Sequence, residues 1–90
     1  MYFVYVLKLK NNNLYVGYTN DVKRRLSQHR QGLSPYTKNY LPVELIYCEI
    51  YKAEADARER EQKLKQHKSA LGHLRNRIRK SLGQDSKSGG

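Results

Sequence analysis

The chain has 90 residues, enough for one small domain and too few for two independent cores. Its 18 Lys and Arg residues against 8 Asp and Glu give a formal net charge of +10, which favours an anionic partner over a membrane. No window approaches the roughly 18 apolar residues of a spanning helix, and a signal-peptide pattern is absent. The lone Cys48 excludes an internal disulfide and a zinc site built from several cysteines. We therefore expect a soluble, cytoplasmic domain that faces nucleic acid.

The start of the chain predicts a β-hairpin. Residues 2–9 alternate between two faces that are both apolar, as in a strand covered on both sides, and residues 14–18 form a second strand. The asparagines at 11–13 predict a tight turn between them, because Asn tolerates left-handed backbone angles.

The register of this hairpin decides which side chains share a face. If Lys10 pairs with Leu14 across the turn, then Tyr5, Tyr15 and Gly17 all lie on one face of the sheet. A slip of one residue would separate Tyr5 from Tyr15, so the register is itself a prediction.

A helix is expected after the hairpin. Asn20 is the predicted N-cap, Asp21 lies in the first turn, and Gly32 is a suitable stop. The stripe of this helix has spacings of four and three: Val22, Leu26 and His29.

The second half predicts one strand and two helices. Residues 33–41 read as a loop, residues 43–51 alternate as a strand, and a helix follows from Ala53. Gly72 predicts a break before the last helix.

The resulting order, β-β-α-β-α-α, predicts an α+β fold with a small three-stranded antiparallel sheet flanked by helices. We expect a single domain over residues 1–83 and a disordered tail over residues 84–90, which are rich in Ser and Gly.

Positive charge is concentrated on the predicted helices, and no acidic residue occurs between Gln62 and Gln84. A charge run usually marks a solvated helix face, but this one has a single sign and lacks Glu partners. Such a surface suits phosphate neutralisation. The candidate nucleic-acid-binding residues are Lys23, Arg24, Lys63, Lys65, Arg75, Arg77, Arg79 and Lys80.

Glu61 stands in an unusual place for a carboxylate. It shares a helical stripe with Ala53, Ala57 and Leu64, which should face the sheet, so it loses hydration unless something compensates its charge. It either pairs with a nearby Arg or Lys or holds a divalent cation together with waters, as magnesium is usually held. Spacing alone does not decide between the two.

Arg25 and His29 lie one turn apart on the first helix. His29 reads either as a satisfied, partly buried histidine or as part of a site. Arg25 reads either as a surface charge or as a guanidinium that binds a phosphate through its fork of donors.

Several segments together resemble the GIY-YIG endonuclease superfamily. The resemblance is closest to small stand-alone members similar to the nuclease domain of the bacterial excision-repair C subunit, although the first motif begins with Phe3 rather than Gly. The matching segments are Phe3-Val4-Tyr5, Tyr15-Val16-Gly17, residues 18–29, residues 42–47 and residues 57–65.

This resemblance implies a divalent-metal-dependent endonuclease that cuts DNA at a structural feature, in repair or recombination, with Mg²⁺ or Mn²⁺ as the cofactor. A protein partner could supply the targeting. The implied roles are metal binding by Glu61, a place beside the attacking water for Tyr5, contact with the scissile phosphate for Arg25, a polar network for Tyr15 and His29, and room in the pocket for Gly17.

Two other functions compete with this one. A catalytically silent nucleic-acid-binding module would keep the fold but would not need Tyr5, Tyr15, Arg25, His29 and Glu61 together. A small basic ribosome-associated protein would explain the charge but not Glu61 on the inner stripe.

Overall fold

The computed structural model describes residues 1–83, which form the predicted α+β fold in the predicted order. The three strands make one antiparallel sheet in the order β2-β1-β3. Residues 84–90, the predicted tail, lie outside the described residues, and the domain boundary stays a prediction. The elements are β1 (Tyr2–Lys8), β2 (Leu14–Thr19), α1 (Val22–Arg30), β3 (Glu44–Tyr51), α2 (Glu54–Gln66) and α3 (Lys68–Arg77), with a 3-10 turn at Lys38–Tyr40.

The central strand β1 is covered on both faces, as its two apolar faces predicted. On one face Val4 and Val6 are fully buried against Ala57 and Leu64 of α2 and Leu74 of α3. Full burial of a valine or leucine side chain stabilises the fold by about 2 kcal/mol. A smaller cluster covers the opposite face, and its buried members are Leu7, Leu9 and Val43.

The turn of the hairpin lies one residue earlier than predicted, so the pairing of Lys10 with Leu14 is wrong. The backbone N–H of Leu9 donates to the carbonyl of Asn13 (2.9 Å), which closes a three-residue loop. Asn12 takes the left-handed conformation in that loop, with φ of 69°. The run of asparagines does mark the turn, but the loop consists of residues 10–12, so residues 11–13 lie towards its end rather than at its centre.

The corrected register places Tyr5 opposite Gly17 and Leu7 opposite Tyr15. It differs from the predicted register by two residues along the partner strand. Because side chains alternate with a period of two, Tyr5, Tyr15 and Gly17 still share one face of the sheet.

The N-cap of α1 is Asp21, not Asn20. The Asp21 carboxylate accepts a hydrogen bond from the backbone N–H of Arg24 (3.0 Å), and α1 begins at the next residue. The Thr19 hydroxyl in turn accepts from the backbone N–H of Asp21 (3.1 Å), which holds the capping residue in place. Gly32, with φ of 77°, follows the end of α1 as predicted.

The break between the last two helices lies at His67 rather than at Gly72. Gly72 sits inside α3, whereas His67 has an extended backbone (φ −113°, ψ 106°). Changing direction just after Leu64 lets α3 bring Leu74 onto the same core. Tertiary packing therefore outweighs the weak helix propensity of Gly72. None of the helices within residues 1–83 is long and apolar enough to cross a membrane.

Candidate active site

Three aromatic rings meet on the face of the sheet that carries Tyr5. Tyr5 comes from β1, Tyr15 from β2, and His29 from the last turn of α1. The Tyr5 and Tyr15 rings stand nearly perpendicular, with centroids 6.4 Å apart. The His29 ring lies 5.7 Å from Tyr5 and 5.3 Å from Tyr15, so the three form a compact triangle.

Gly17 lies directly beneath the ring of Tyr5. A Cβ placed on Gly17 would come within 2.6 Å of Tyr5 Cζ and would overlap the hydroxyl oxygen. Only glycine leaves room for the Tyr5 side chain in this position.

His29 is fully buried, and both of its ring nitrogens have partners. Nε2 is 3.0 Å from the Tyr5 hydroxyl, and Nδ1 is 2.8 Å from the Thr37 hydroxyl. Burial lowers the pKa of His29 to about 4, and the Arg25 guanidinium adds to this effect. The imidazole is therefore neutral at pH 7, accepting one hydrogen bond and donating the other. It matches the satisfied histidine that the sequence left as one alternative.

Thr37 was not singled out from the sequence. It lies in the loop between α1 and β3, and nothing in the spacing between His29 and Thr37 indicates a contact. The structure brings them together because the loop folds back under α1, with the backbone N–H of Thr37 donating to the Ser34 carbonyl (3.2 Å).

Two charged groups influence the Tyr5 hydroxyl from different elements. Burial raises the pKa of Tyr5 to about 12, and the neighbouring Tyr15 adds to the rise. The Arg25 guanidinium of α1 opposes it through its charge and by hydrogen bonding, whereas the Glu61 carboxylate of α2 raises it further. Arg25 also donates to Gln28 Oε1 (3.0 Å), which orients the guanidinium.

Glu61 lies at the edge of the buried stripe of α2, between the buried Ala57 and Leu64. Its side chain is only 14% exposed, and its Oε2 is 2.8 Å from Lys65 Nζ. The same Nζ lies 5.5 Å from the centroid of the Tyr15 ring. The ion pair expected as one alternative is therefore present, and it borders the aromatic triangle.

The donor set around Glu61 suits one kind of metal. Among residues 1–83 there is no group of three or more His, Cys, Asp or Glu side chains that could hold an ion. An ion here would have the Glu61 carboxylate and otherwise waters or phosphate oxygens as ligands. Magnesium accepts this coordination, whereas structural zinc does not.

The candidate nucleic-acid-binding residues are spread over all three helices and the segment after α3, and all but Arg75 are exposed. Arg24 lies 4.0 Å from the Asp21 carboxylate, and Lys65 is paired as described above. Their contact with nucleic acid stays a prediction.

Comparison with known proteins identifies a matching family, similar sequences and a similar fold. Residues 1–80 match the model of the GIY-YIG catalytic domain. A UPF0213 protein of Staphylococcus haemolyticus is 40% identical over 65 residues, covering 71% of this chain and 79% of that protein. A UPF0213 protein of Staphylococcus aureus (strain Mu3) shows the same identity and coverage. The solution NMR structure of a UPF0213 protein from Bacillus halodurans has the same fold, with a TM-score of 0.57 and 24% identity over 94% of this chain and 96% of that one.

Proposed function

This chain belongs to the GIY-YIG catalytic-domain family, and on that premise we propose that it is a divalent-metal-dependent endonuclease that hydrolyses phosphodiester bonds in DNA. One arrangement carries the proposal: a buried Tyr5, hydrogen-bonded to His29, lies under the influence of both Arg25 and Glu61. A cation, a guanidinium and a polarised hydroxyl around one phosphate would stabilise the charge that develops during hydrolysis of a phosphodiester.

Glu61 is the proposed ligand of Mg²⁺ or Mn²⁺. When bound, the ion would neutralise the charge that builds on the phosphate and the leaving oxygen. Arg25 would hold the scissile phosphate by two donors of its planar guanidinium. The low exposure of Glu61 supports this role, because a partly desolvated carboxylate attracts a cation more strongly than one in open water.

Tyr5 is proposed to orient the attacking water rather than to deprotonate it from a resting tyrosinate. Burial raises the pKa of Tyr5 to about 12, so its hydroxyl is protonated at pH 7 when no ion is bound. A neutral hydroxyl can accept a hydrogen bond from water while donating its own proton to His29 Nε2. Thr37 then fixes the opposite side of the imidazole.

We further propose that the substrate is DNA recognised by structure, in repair or recombination in the cytoplasm, with a protein partner that supplies targeting. The excess of positive charge on the helices supports contact with phosphates, which positions a nucleic acid without reading its sequence. Recognition would then rest on the shape of the substrate.

The test is a cleavage assay with Mg²⁺ on single-stranded, duplex and branched DNA. We expect the wild type and Glu59→Gln, an exposed change on α2, to cut at the same rate. Glu61→Gln should lose at least about 100-fold in rate while binding DNA as before, because it removes the proposed protein ligand of the ion. If the wild type binds these substrates and cuts none of them, the silent binding module replaces the nuclease.

A further inference from the structure

A second concave site lies between α2 and α3. It has a volume of about 290 Å³, and Arg60 reaches it from α2. The remaining lining comes from α3 and combines basic with apolar side chains: Ala70, His73, Leu74 and Arg77.

This cavity belongs to the face of the sheet opposite the Tyr5 ring. Leu74 lines the cavity and packs in the same core as Val4 and Val6 of β1. Tyr5 lies between those two valines in the strand, so its side chain points to the other face. The two sites therefore share no residue, although α2 contributes to both, with Arg60 in the cavity and Glu61 at the candidate active site.

Arg60 is held rigidly at the wall of the cavity. Its Nε and Nη2 donate to the two oxygens of the Glu49 carboxylate (both 3.0 Å). Glu49 also accepts from the hydroxyls of Tyr47 (2.7 Å) and Tyr51 (2.6 Å). Burial alone would raise the pKa of Glu49, but these hydrogen bonds outweigh it and hold the pKa below its ordinary value.

This network leaves the cavity with an excess of positive charge. Arg60 Nη1 takes no part in binding Glu49, and the two carboxylate oxygens of Glu49 accept from Arg60, Tyr47 and Tyr51. Arg77 is exposed and forms no ion pair with the described residues 1–83. Since residues 63–83 contain no acidic residue, α3 offers no carboxylate to neutralise it.

We propose that this cavity binds a phosphate of a nucleic-acid backbone. Two guanidinium groups, one fixed by Glu49 and one exposed, suit the tetrahedral oxygens of a phosphate. The apolar wall of Ala70 and Leu74 can contact the adjoining sugar. A volume near 300 Å³ is at the lower end for ligand sites, which fits one phosphate group and its neighbour.

A long polyanion fits this surface better than a free small anion, because the chain next to the cavity residues carries further positive charge on Arg75 and Lys80. The inference goes beyond the proposed hydrolysis, since it needs neither a metal nor Glu61. A branched substrate, with one segment of nucleic acid at each site, could occupy both sites.

The experiment is an NMR titration of the ¹⁵N-labelled full chain in EDTA, with a short thymidine oligonucleotide and, separately, with inorganic phosphate. Because EDTA removes the metal, the result does not depend on whether the protein cleaves DNA. Arg77→Gln is compared with Lys68→Gln, which removes the same charge from the exposed start of α3, away from the cavity.

We expect the oligonucleotide to shift the amide signals of Ala70, His73 and Arg77 together. Affinity read from the Ala70 and His73 signals should fall roughly tenfold in Arg77→Gln and less than about twofold in Lys68→Gln. Shifts confined to the Tyr5 side of the sheet, or equal losses in the two variants, would overturn the inference. Binding of inorganic phosphate as tight as that of the oligonucleotide would make this a small-anion site and overturn it as well.

Discussion

At the scale of single residues, the contact between Gly17 and Tyr5 has the sharpest consequence. Gly17→Ala would place a methyl group 2.6 Å from Tyr5 Cζ, and the ring cannot stay above the strand. We expect a loss of about 1–3 kcal/mol in the free energy of unfolding, together with loss of the Tyr5–His29 hydrogen bond. Urea denaturation measures the first and NMR of the His29 ring protons the second.

Gly72→Ala is the matched control for this substitution. Gly72 is exposed inside α3, with nothing within 4 Å of an added Cβ. Alanine should raise the free energy of unfolding by about 0.5–1 kcal/mol, since glycine is a poor helix former. Equal effects of the two changes would contradict the steric argument.

His29 makes stability depend on pH. The unfolded chain takes up a proton at His29 below pH 6.5, but the folded protein does so only near pH 4. The unfolded state binds more protons between these values, so the free energy of unfolding falls as the pH falls through this window, by at most about 3 kcal/mol. Urea denaturation between pH 7 and 5 should show a decline in the wild type.

Two histidine variants separate this effect from general acid denaturation. His29→Gln should be less stable at pH 7. Its free energy of unfolding should depend much less on pH between 7 and 5, because glutamine cannot titrate. His73→Gln, an exposed change on α3, should keep the wild-type decline. If the free energy of unfolding of His29→Gln falls with pH as steeply as that of the wild type, other groups cause the pH dependence.

These residues also mark what the sequence can predict. Tyr5, Tyr15 and Gly17 could be assigned to one face because alternation in a strand survives a register error of two. Thr37 could not be found, since its contact with His29 depends on the path of a loop. Pairing of Glu61 with a nearby Arg or Lys was one of two open alternatives, and only the structure identifies the partner as Lys65, one turn further along α2.

At the scale of elements, the start of α1 tests the assignment of its cap. Asp21→Ala removes the acceptor for the Arg24 N–H and should lower the free energy of unfolding by about 1 kcal/mol. Asn20→Ala should change it by less than about 0.5 kcal/mol, because Asn20 is exposed and outside the cap. Thermal denaturation of both variants measures the two losses. A larger loss in Asn20→Ala than in Asp21→Ala would contradict the assignment of Asp21 as the N-cap.

Helix α2 carries both the proposed metal ligand and a competing cation. Lys65→Met removes the ammonium group 2.8 Å from Glu61 Oε2, so Mn²⁺ affinity measured by calorimetry should rise roughly fivefold. Lys63→Met removes an exposed charge from the same helix and should have little effect. Binding that persists in Glu61→Gln would refute the metal site itself, whereas equal affinities in the wild type and Lys65→Met would refute only the competition.

At the scale of the whole molecule, the hydrophobic periodicity predicted the order of the elements but not the residues at which one element ends and the next begins. The break at His67 is set by the need of Leu64 and Leu74 to reach one core, which no local signal expresses. The Glu49–Arg60 tie between β3 and α2 was missed for the same reason. The alternation of side chains along a strand shows which residues share a face with Glu49, but only the packing of α2 against β3 brings its partner Arg60 close.

The net charge of +10 implies that binding to nucleic acid depends strongly on salt. In EDTA, the logarithm of the affinity for single-stranded DNA should fall linearly with the logarithm of the salt concentration, with a slope of about −0.7 for each phosphate contacted. Replacing Lys23 and Arg24 of α1 together with Gln should reduce the steepness by about 1.4 if each binds one phosphate. Lys52→Gln removes an exposed charge outside the helices and should leave the slope unchanged. A wild-type slope near zero would mean that the basic helices do not bind the backbone, and charge alone would then no longer argue for a nucleic-acid partner.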